Sequence, residues 1–128
     1  MVYVDTSVVL AALLAEDHRP PRDFWSNHLV SSRLLEFETW TRLHAEQAST
    51  AVADAADILV GMTDLVEMTP TVLARALDPF PVRVRTLDAL HLATAAYLES
   101  QGMRFEFATY DVRLADAARA IGLRVTTP

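Results

Sequence analysis

Short runs of β-branched and aromatic residues alternate with longer helical stretches along the whole of this chain, and few architectures accept such an alternation. Val2-Tyr3-Val4 reads as a strand, and Asp5-Thr6-Ser7 then supplies helix N-cap chemistry ahead of an apolar helix over Val8 to Ala15. Pro20-Pro21 opens a short helix through Phe24 and Trp25. Leu29-Val30 reads as a second strand, Ser31-Ser32 as the cap of a long helix over Arg33 to Ala48, and Ala51 to Met62 as a further helix. Asp64 to Met68 follows as a strand, and Thr69-Pro70 starts a helix through Leu77. Pro79 to Arg85, with two prolines and alternating Val and Arg, reads as a loop. Thr86 then caps a helix through Ser100 that Gly102 closes, Phe105 to Ala108 forms a strand, Asp111 to Ile121 a helix stopped by Gly122, and Arg124 to Thr126 a last strand. Strands and helices in strict alternation predict the α/β class, a parallel sheet with helices on both sides. In open sheets of this kind ligands bind beyond the carboxyl ends of the strands, near the point where the strand order reverses.

The 128 residues fit a single domain over positions 1–128, large enough to bury roughly two thirds of the surface of the unfolded chain. Hydrophobic residues at 52% against 22% charged ones exclude a disordered or fibrous chain. Cysteine is absent, which rules out disulfides and thiolate metal sites and suits a reducing cytoplasm. The longest apolar run, Val8 to Ala15, is too short to span a bilayer, and no basic segment precedes it as in a secretory signal. A formal net charge of −6 has the wrong sign for holding nucleic acid by bulk electrostatics. All 11 basic residues are arginine, however, and the bidentate guanidinium fork engages phosphate locally.

Four acids fall where this architecture gathers ligands: Asp5 at the end of the first strand, Glu38 within a helix, Asp88 in the first turn of another, and Asp111 just after a late strand. Each also has a structural explanation. Asp5 and Asp111 stand at helix starts, where an acid caps the backbone and meets the positive end of the dipole. On a helical wheel Glu38 falls between Leu34, Thr41 and Ala45, on an arc shared with Phe37 and Ala48, and is expected to point inward, whereas Glu36 lies on the opposite, solvated side. The helix carrying Asp88 is apolar on all sides, as in a buried helix, and dipole stabilisation accounts for an acid in its first turn. His91, one turn on, lacks a zinc-ligand partner and reads as structural or supporting, while Asp116 reads as exposed. Gathered acids without matching bases repel unless a cation neutralises them, and oxygen-only donors select Mg2+ or Mn2+.

At these residues the chain resembles the PIN-domain ribonucleases, and within them the VapC-type toxins of bacterial toxin–antitoxin pairs. The resemblance runs over essentially the whole length, through Val-Tyr-Val-Asp5-Thr6-Ser7, Ser31-Ser32-Arg-Leu-Leu-Glu-Phe-Glu38, Thr86-Leu-Asp88-Ala-Leu-His91-Leu-Ala-Thr-Ala and Ala-Thr109-Tyr-Asp111-Val-Arg113-Leu-Ala. It implies a three-layer α/β/α Rossmann-like PIN fold with a central parallel sheet and a Mg2+-dependent endoribonuclease. It matches Asp5, Glu38, Asp88 and Asp111 to the family's acidic positions and Thr109 to its accessory polar residue. Thr6 and Ser7, with hydroxyls at a helix start, read as phosphate contacts or simple caps, and Arg113 as a contact to the RNA backbone or a surface arginine. The resemblance further implies a homodimer and a cognate VapB-type antitoxin, for which Phe24, Trp25 and Trp40 are candidate contacts unless they serve the core. Two other readings stand beside it: a catalytically inert PIN-like interaction module, and a receiver-like Mg2+-binding signalling domain, which needs a lysine that this chain lacks.

Overall fold

The computed structural model describes residues 1–128. Five parallel strands form one sheet in the order β3-β2-β1-β4-β5: β1 (Val2–Val4), β2 (Leu29–Ser32), β3 (Thr63–Val66), β4 (Glu106–Ala108) and β5 (Val125–Thr126). Six α-helices flank it: α1 (Thr6–Leu13), α2 (Leu34–Ala45), α3 (Thr50–Gly61), α4 (Pro70–Leu77), α5 (Thr86–Ser100) and α6 (Val112–Ala120), with a 3-10 turn at Arg22–Ser26. This is the three-layer α/β/α arrangement expected from the alternation. β1 is buried on both faces, as a central parallel strand must be.

Successive strand residues feed opposite layers. Val2, Val4 and Leu29 pack with α1, α2 and α3 through Val8, Val9, Leu35, Leu43 and Val60, whereas Tyr3, Val30 and Phe107 pack with α5 and α6 through Leu92, Leu98, Leu114 and Ala118. Phe24 is buried in the first layer, and Trp25 and Trp40 pack against it. Of the two roles expected for these aromatics, core packing is the one the fold displays.

Strand order runs outward from β1 through β2 to β3, then returns to place β4 on the other side of β1. The reversal lies between β1 and β4, where Val4 pairs with Ala108. Asp5 and Thr109 follow these two residues directly, so the topology delivers both to one crevice.

Helix ends explain where the expected boundaries shift. Gly102 (φ 84°) and Gly122 (φ 89°) take left-handed conformations. Met103 N–H reaches Leu98 O and Leu123 N–H reaches Ala118 O, the closing bonds of Schellman motifs. The same motif ends α1 at Ala15 (φ 51°) and α2 at Gln47 (φ 51°), with Glu16 N–H on Ala11 O and Ala48 N–H on Leu43 O. No glycine marks these stops, so both helices finish before the expected Ala15 and Ala48. At the start of α5, Thr86 is the first helical residue and Arg85 the uncapped residue before it, so Thr86 is not the expected cap.

A methyl group added at Gly122 would meet nothing within 4 Å. The substitution Gly122→Ala should therefore cost only the left-handed backbone penalty, about 1–2 kcal/mol, read as a lower urea midpoint with an unchanged slope.

Candidate active site

Asp5 N–H donates to Ala108 O at 2.9 Å, tying the ends of β1 and β4 together. Asp5 is only 5% exposed. Its Oδ2 accepts from Ser7 Oγ at 2.6 Å, Thr109 Oγ1 at 2.9 Å and Ser7 N–H at 3.3 Å. Asp5 is thus the cap of α1, yet its Oδ1 receives no hydrogen bond and lies 3.8 Å from His91 Nε2. Capping and ligand readings of Asp5 are compatible because they use different oxygens.

Thr109 is fully buried and joins two acids. Its hydroxyl donates to Asp5 and accepts Asp111 N–H at 3.0 Å. Asp111 caps α6 by accepting Leu114 N–H on Oδ1 at 3.1 Å, which leaves Oδ2 without a protein partner. Ser7 Oγ accepts Tyr110 N–H at 3.0 Å and so braces the same junction.

Glu38 reaches the crevice from α2. Its Oε1 accepts the Thr6 hydroxyl at 2.9 Å and lies 2.7 Å from His91 Nε2, while Oε2 makes no protein hydrogen bond. The carboxylate points inward as expected and Leu34 on its arc is buried, but Leu35, Thr39 and Leu43 carry the rest of the core face of α2. Phe37, on the arc assigned to Glu38, is 59% exposed. Leu34, Phe37, Glu38, Thr41 and Ala45 instead line a cavity, which is why a carboxylate belongs among them.

Behind Glu38 runs a buried relay. Ser32 N–H donates to the Tyr3 oxygen at 3.2 Å, and Tyr3 Oη lies 2.9 Å from His91 Nδ1. Burial, followed by the Asp5 charge, pushes the Tyr3 phenol well above its ordinary range, so it keeps its proton. The Tyr3 hydroxyl satisfies Nδ1 and leaves Nε2 facing Glu38. Burial alone pushes His91 down, but the hydrogen bond to Glu38 and the charges of Asp5, Glu38 and Asp88 outweigh it and hold the imidazole above its usual range.

Asp88, in the first turn of α5, receives no protein hydrogen bond. Burial, then the charges of Asp111 and Asp5, push its carboxyl above the ordinary carboxylate range against the opposing pull of Arg85 and His91. The helix bearing it is not apolar-buried all round as expected, since Leu87 is 47% exposed.

All four acids, with Thr6 and Ser7, line one cavity of about 550 Å³ whose apolar rim includes Leu10, Phe37 and Leu87. As the side chains stand, no three His, Asp or Glu groups come close enough together to hold a metal ion. The donor chemistry nonetheless fits a hard divalent cation, because each acid keeps at least one oxygen that the protein does not use and no sulfur donor is present. Arg113 lies outside this cavity, in an adjoining cleft that shares Asp88 with it. Sequence reasoning brought the acids together but missed the Tyr3–His91 relay, whose signal was two residues with polar tips at otherwise apolar positions of β1 and α5.

The model of the PIN domain family matches residues 2–120. Ribonuclease VapC47 of Mycobacterium tuberculosis (strain CDC 1551 / Oshkosh) is 28% identical over 135 aligned residues, covering 100% of this chain and 97% of that protein. Ribonuclease VapC46 of Mycobacterium tuberculosis (strain ATCC 25618 / H37Rv) is 32% identical over 133, covering 99% and 97%. Ribonuclease VapC35 from the same species is 27% identical over 132. No solved structure gives a significant match.

Two stability predictions follow from these contacts. In EDTA at neutral pH, Asp88→Asn should melt slightly above the wild type, because an acid with a raised folded-state pKa costs stability once ionised. That gain should vanish as pH falls below the ordinary carboxylate range. Tyr3→Phe removes the group that satisfies His91 Nδ1 and Ser32 N–H, and should cost about 1–3 kcal/mol in denaturant unfolding.

Proposed function

This chain belongs to the PIN domain family, and from that premise we propose that it is a Mg2+-dependent endoribonuclease, the toxin of a VapBC-type toxin–antitoxin pair. The observation that carries the reading is the convergence of Asp5, Glu38, Asp88 and Asp111 on one cavity at the strand-order reversal. Similarity over nearly the full length of ribonucleases supports it.

Asp5, Glu38, Asp88 and Asp111 would hold Mg2+, or Mn2+ in its place, through the oxygens left free by the protein. When bound, the cation supplies Lewis-acid polarisation of the phosphodiester and a bound water of lowered pKa. Thr109 and Ser7 fix Asp5, and Thr6 and His91 fix Glu38, so the two most constrained carboxylates arrive pre-oriented. Hydrolysis by water needs no covalent nucleophile, and Ser7 is in any case committed to Asp5 and Tyr110. Leu10, Leu34, Phe37 and Leu87 give the cavity an apolar rim against which a VapB-type antitoxin would seat. We assign the protein to the cytoplasm, as one PIN domain over residues 1–128 that works as a homodimer. No helix is long and apolar enough to cross a membrane.

The inert-module reading draws on one observation, that no three acidic or imidazole groups stand within metal-holding distance. The two readings part on RNA. The nuclease cleaves single-stranded RNA with Mg2+ and stops in EDTA, and Asp5→Asn lowers kcat/KM by about two to three orders of magnitude, the scale of losing one preorganised electrostatic group. An inert module gives no cleavage under any divalent ion. Sequencing RNA 5′ ends after induction of wild type and Asp5→Asn in parallel identifies the cut site.

A further inference from the structure

The cavity that holds the acids has a neighbour of opposite character. Arg83, Arg85 and Arg113 line an adjoining cleft of about 640 Å³ with Asp88, Val82, Val84, Leu114 and Asp116. Asp88 borders both spaces. The ion pairs of the fold engage Arg33, Arg42 and Arg119, and none involves the three guanidinium groups of this cleft. Asp116, the second acid of the cleft, is turned to Arg119 at 3.4 Å.

The segment that carries Arg83 and Arg85 is anchored. Phe80 and Val84 pack against the core layer of α5 and α6, and the Arg75 guanidinium lies 4.3 Å over the Phe80 ring. With Val84 docked, its two exposed arginine neighbours are presented together at the cleft, and Arg113 meets them from the first turn of α6. Three guanidinium groups outside any ion pair, with only the charge of Asp88 acting on Arg85, make this cleft locally basic on a chain of net charge −6, and planar forks suit phosphate.

We propose that the Arg83–Arg85–Arg113 cleft binds the RNA backbone beside the scissile phosphate, so that the strand passes from arginines to acids across Asp88. This rests on the nuclease reading and adds a substrate track to it. A polyanion meets net repulsion over most of this protein and over the acid cavity itself. Local attraction by the cleft is what brings an RNA strand to that cavity.

A matched pair of clefts gives the test. Arg104 and Arg124 line a second cleft with Glu99 and Phe105, at the opposite, amino-terminal edge of β4 and β5. Binding of a short fluorescent single-stranded RNA of mixed sequence is measured against salt in EDTA in the Asp5→Asn background, which together prevent turnover. Arg83→Gln with Arg85→Gln should make the log K against log salt slope shallower by about 1.4, from two lost phosphate contacts on a single strand. Adding Arg113→Gln should bring the loss to about 2. Arg104→Gln with Arg124→Gln removes the same charge as the first pair and should leave the slope unchanged. In the active enzyme, the Arg83/Arg85 pair should raise KM by tenfold or more with a much smaller fall in kcat.

Equal effects from the two matched pairs, or none from either, would overturn the cleft assignment while wild-type cleavage upheld the nuclease. Absence of both binding and cleavage in the wild type would overturn both. A cleft that served an acidic protein segment would leave the RNA slope and KM where they were, and so counts against the proposal.

Discussion

Like charges brought into one cavity must be compensated or pushed apart, and the fold around the strand-order reversal is organised by that demand. Asp5 is the most enclosed of the acids and the most heavily satisfied, with two hydroxyls and an amide on one oxygen. Glu38 is met by a hydroxyl and by an imidazole whose opposite nitrogen is fixed by Tyr3. Asp88 has no such donors, and there burial, followed by the charges of Asp111 and Asp5, pushes the carboxyl above its usual range. The compensation is one-sided by design of the hydrogen bonds: each acid is held by one oxygen or not at all, and the remaining oxygens stay available for a cation.

The same constraint accounts for two polar side chains buried in the core, Tyr3 and His91. Tyr3 and His91 are fully buried, between the sheet and α5, with stacked and edge-on aromatic neighbours in Phe107 and each other. Buried polar groups of this kind are tolerated when every member has a partner. Their arrangement carries the position of a β2 backbone amide, through a phenol and an imidazole, to the carboxylate of Glu38 on α2.

Much of this was legible in the sequence, and the exceptions have physical reasons. The α/β alternation, the strand at Val2–Val4, the start of the second at Leu29-Val30 and the helix at Pro70–Leu77 follow from β-branched runs, N-caps and prolines, which act locally, whereas Ser31 and Ser32, read as a helix cap, complete β2. The early ends of α1 and α2 were hidden because Ala15 and Gln47 adopt a left-handed conformation usually given to glycine. The inward turn of Glu38 was legible on a helical wheel, but relative angles could not show that Phe37 on the same arc marks the cavity mouth instead of the core. Asp5 and Asp111 could be named from strand ends, whereas the tie between them depends on Thr109, a contact across 104 positions that no local pattern encodes. Arg83 and Arg85 lay in plain view as an alternating Val–Arg segment, but nothing in the sequence said that the cleft beneath them opens beside Asp88.

The central claim is that the free oxygens of Asp5, Glu38, Asp88 and Asp111 share a cation. Calorimetric titration of the RNA-free protein with Mn2+ tests it directly. The account predicts saturable binding in the wild type that weakens sharply in Asp88→Asn and is lost when Asp5 is also changed to Asn. Identical titrations for all three proteins would contradict it.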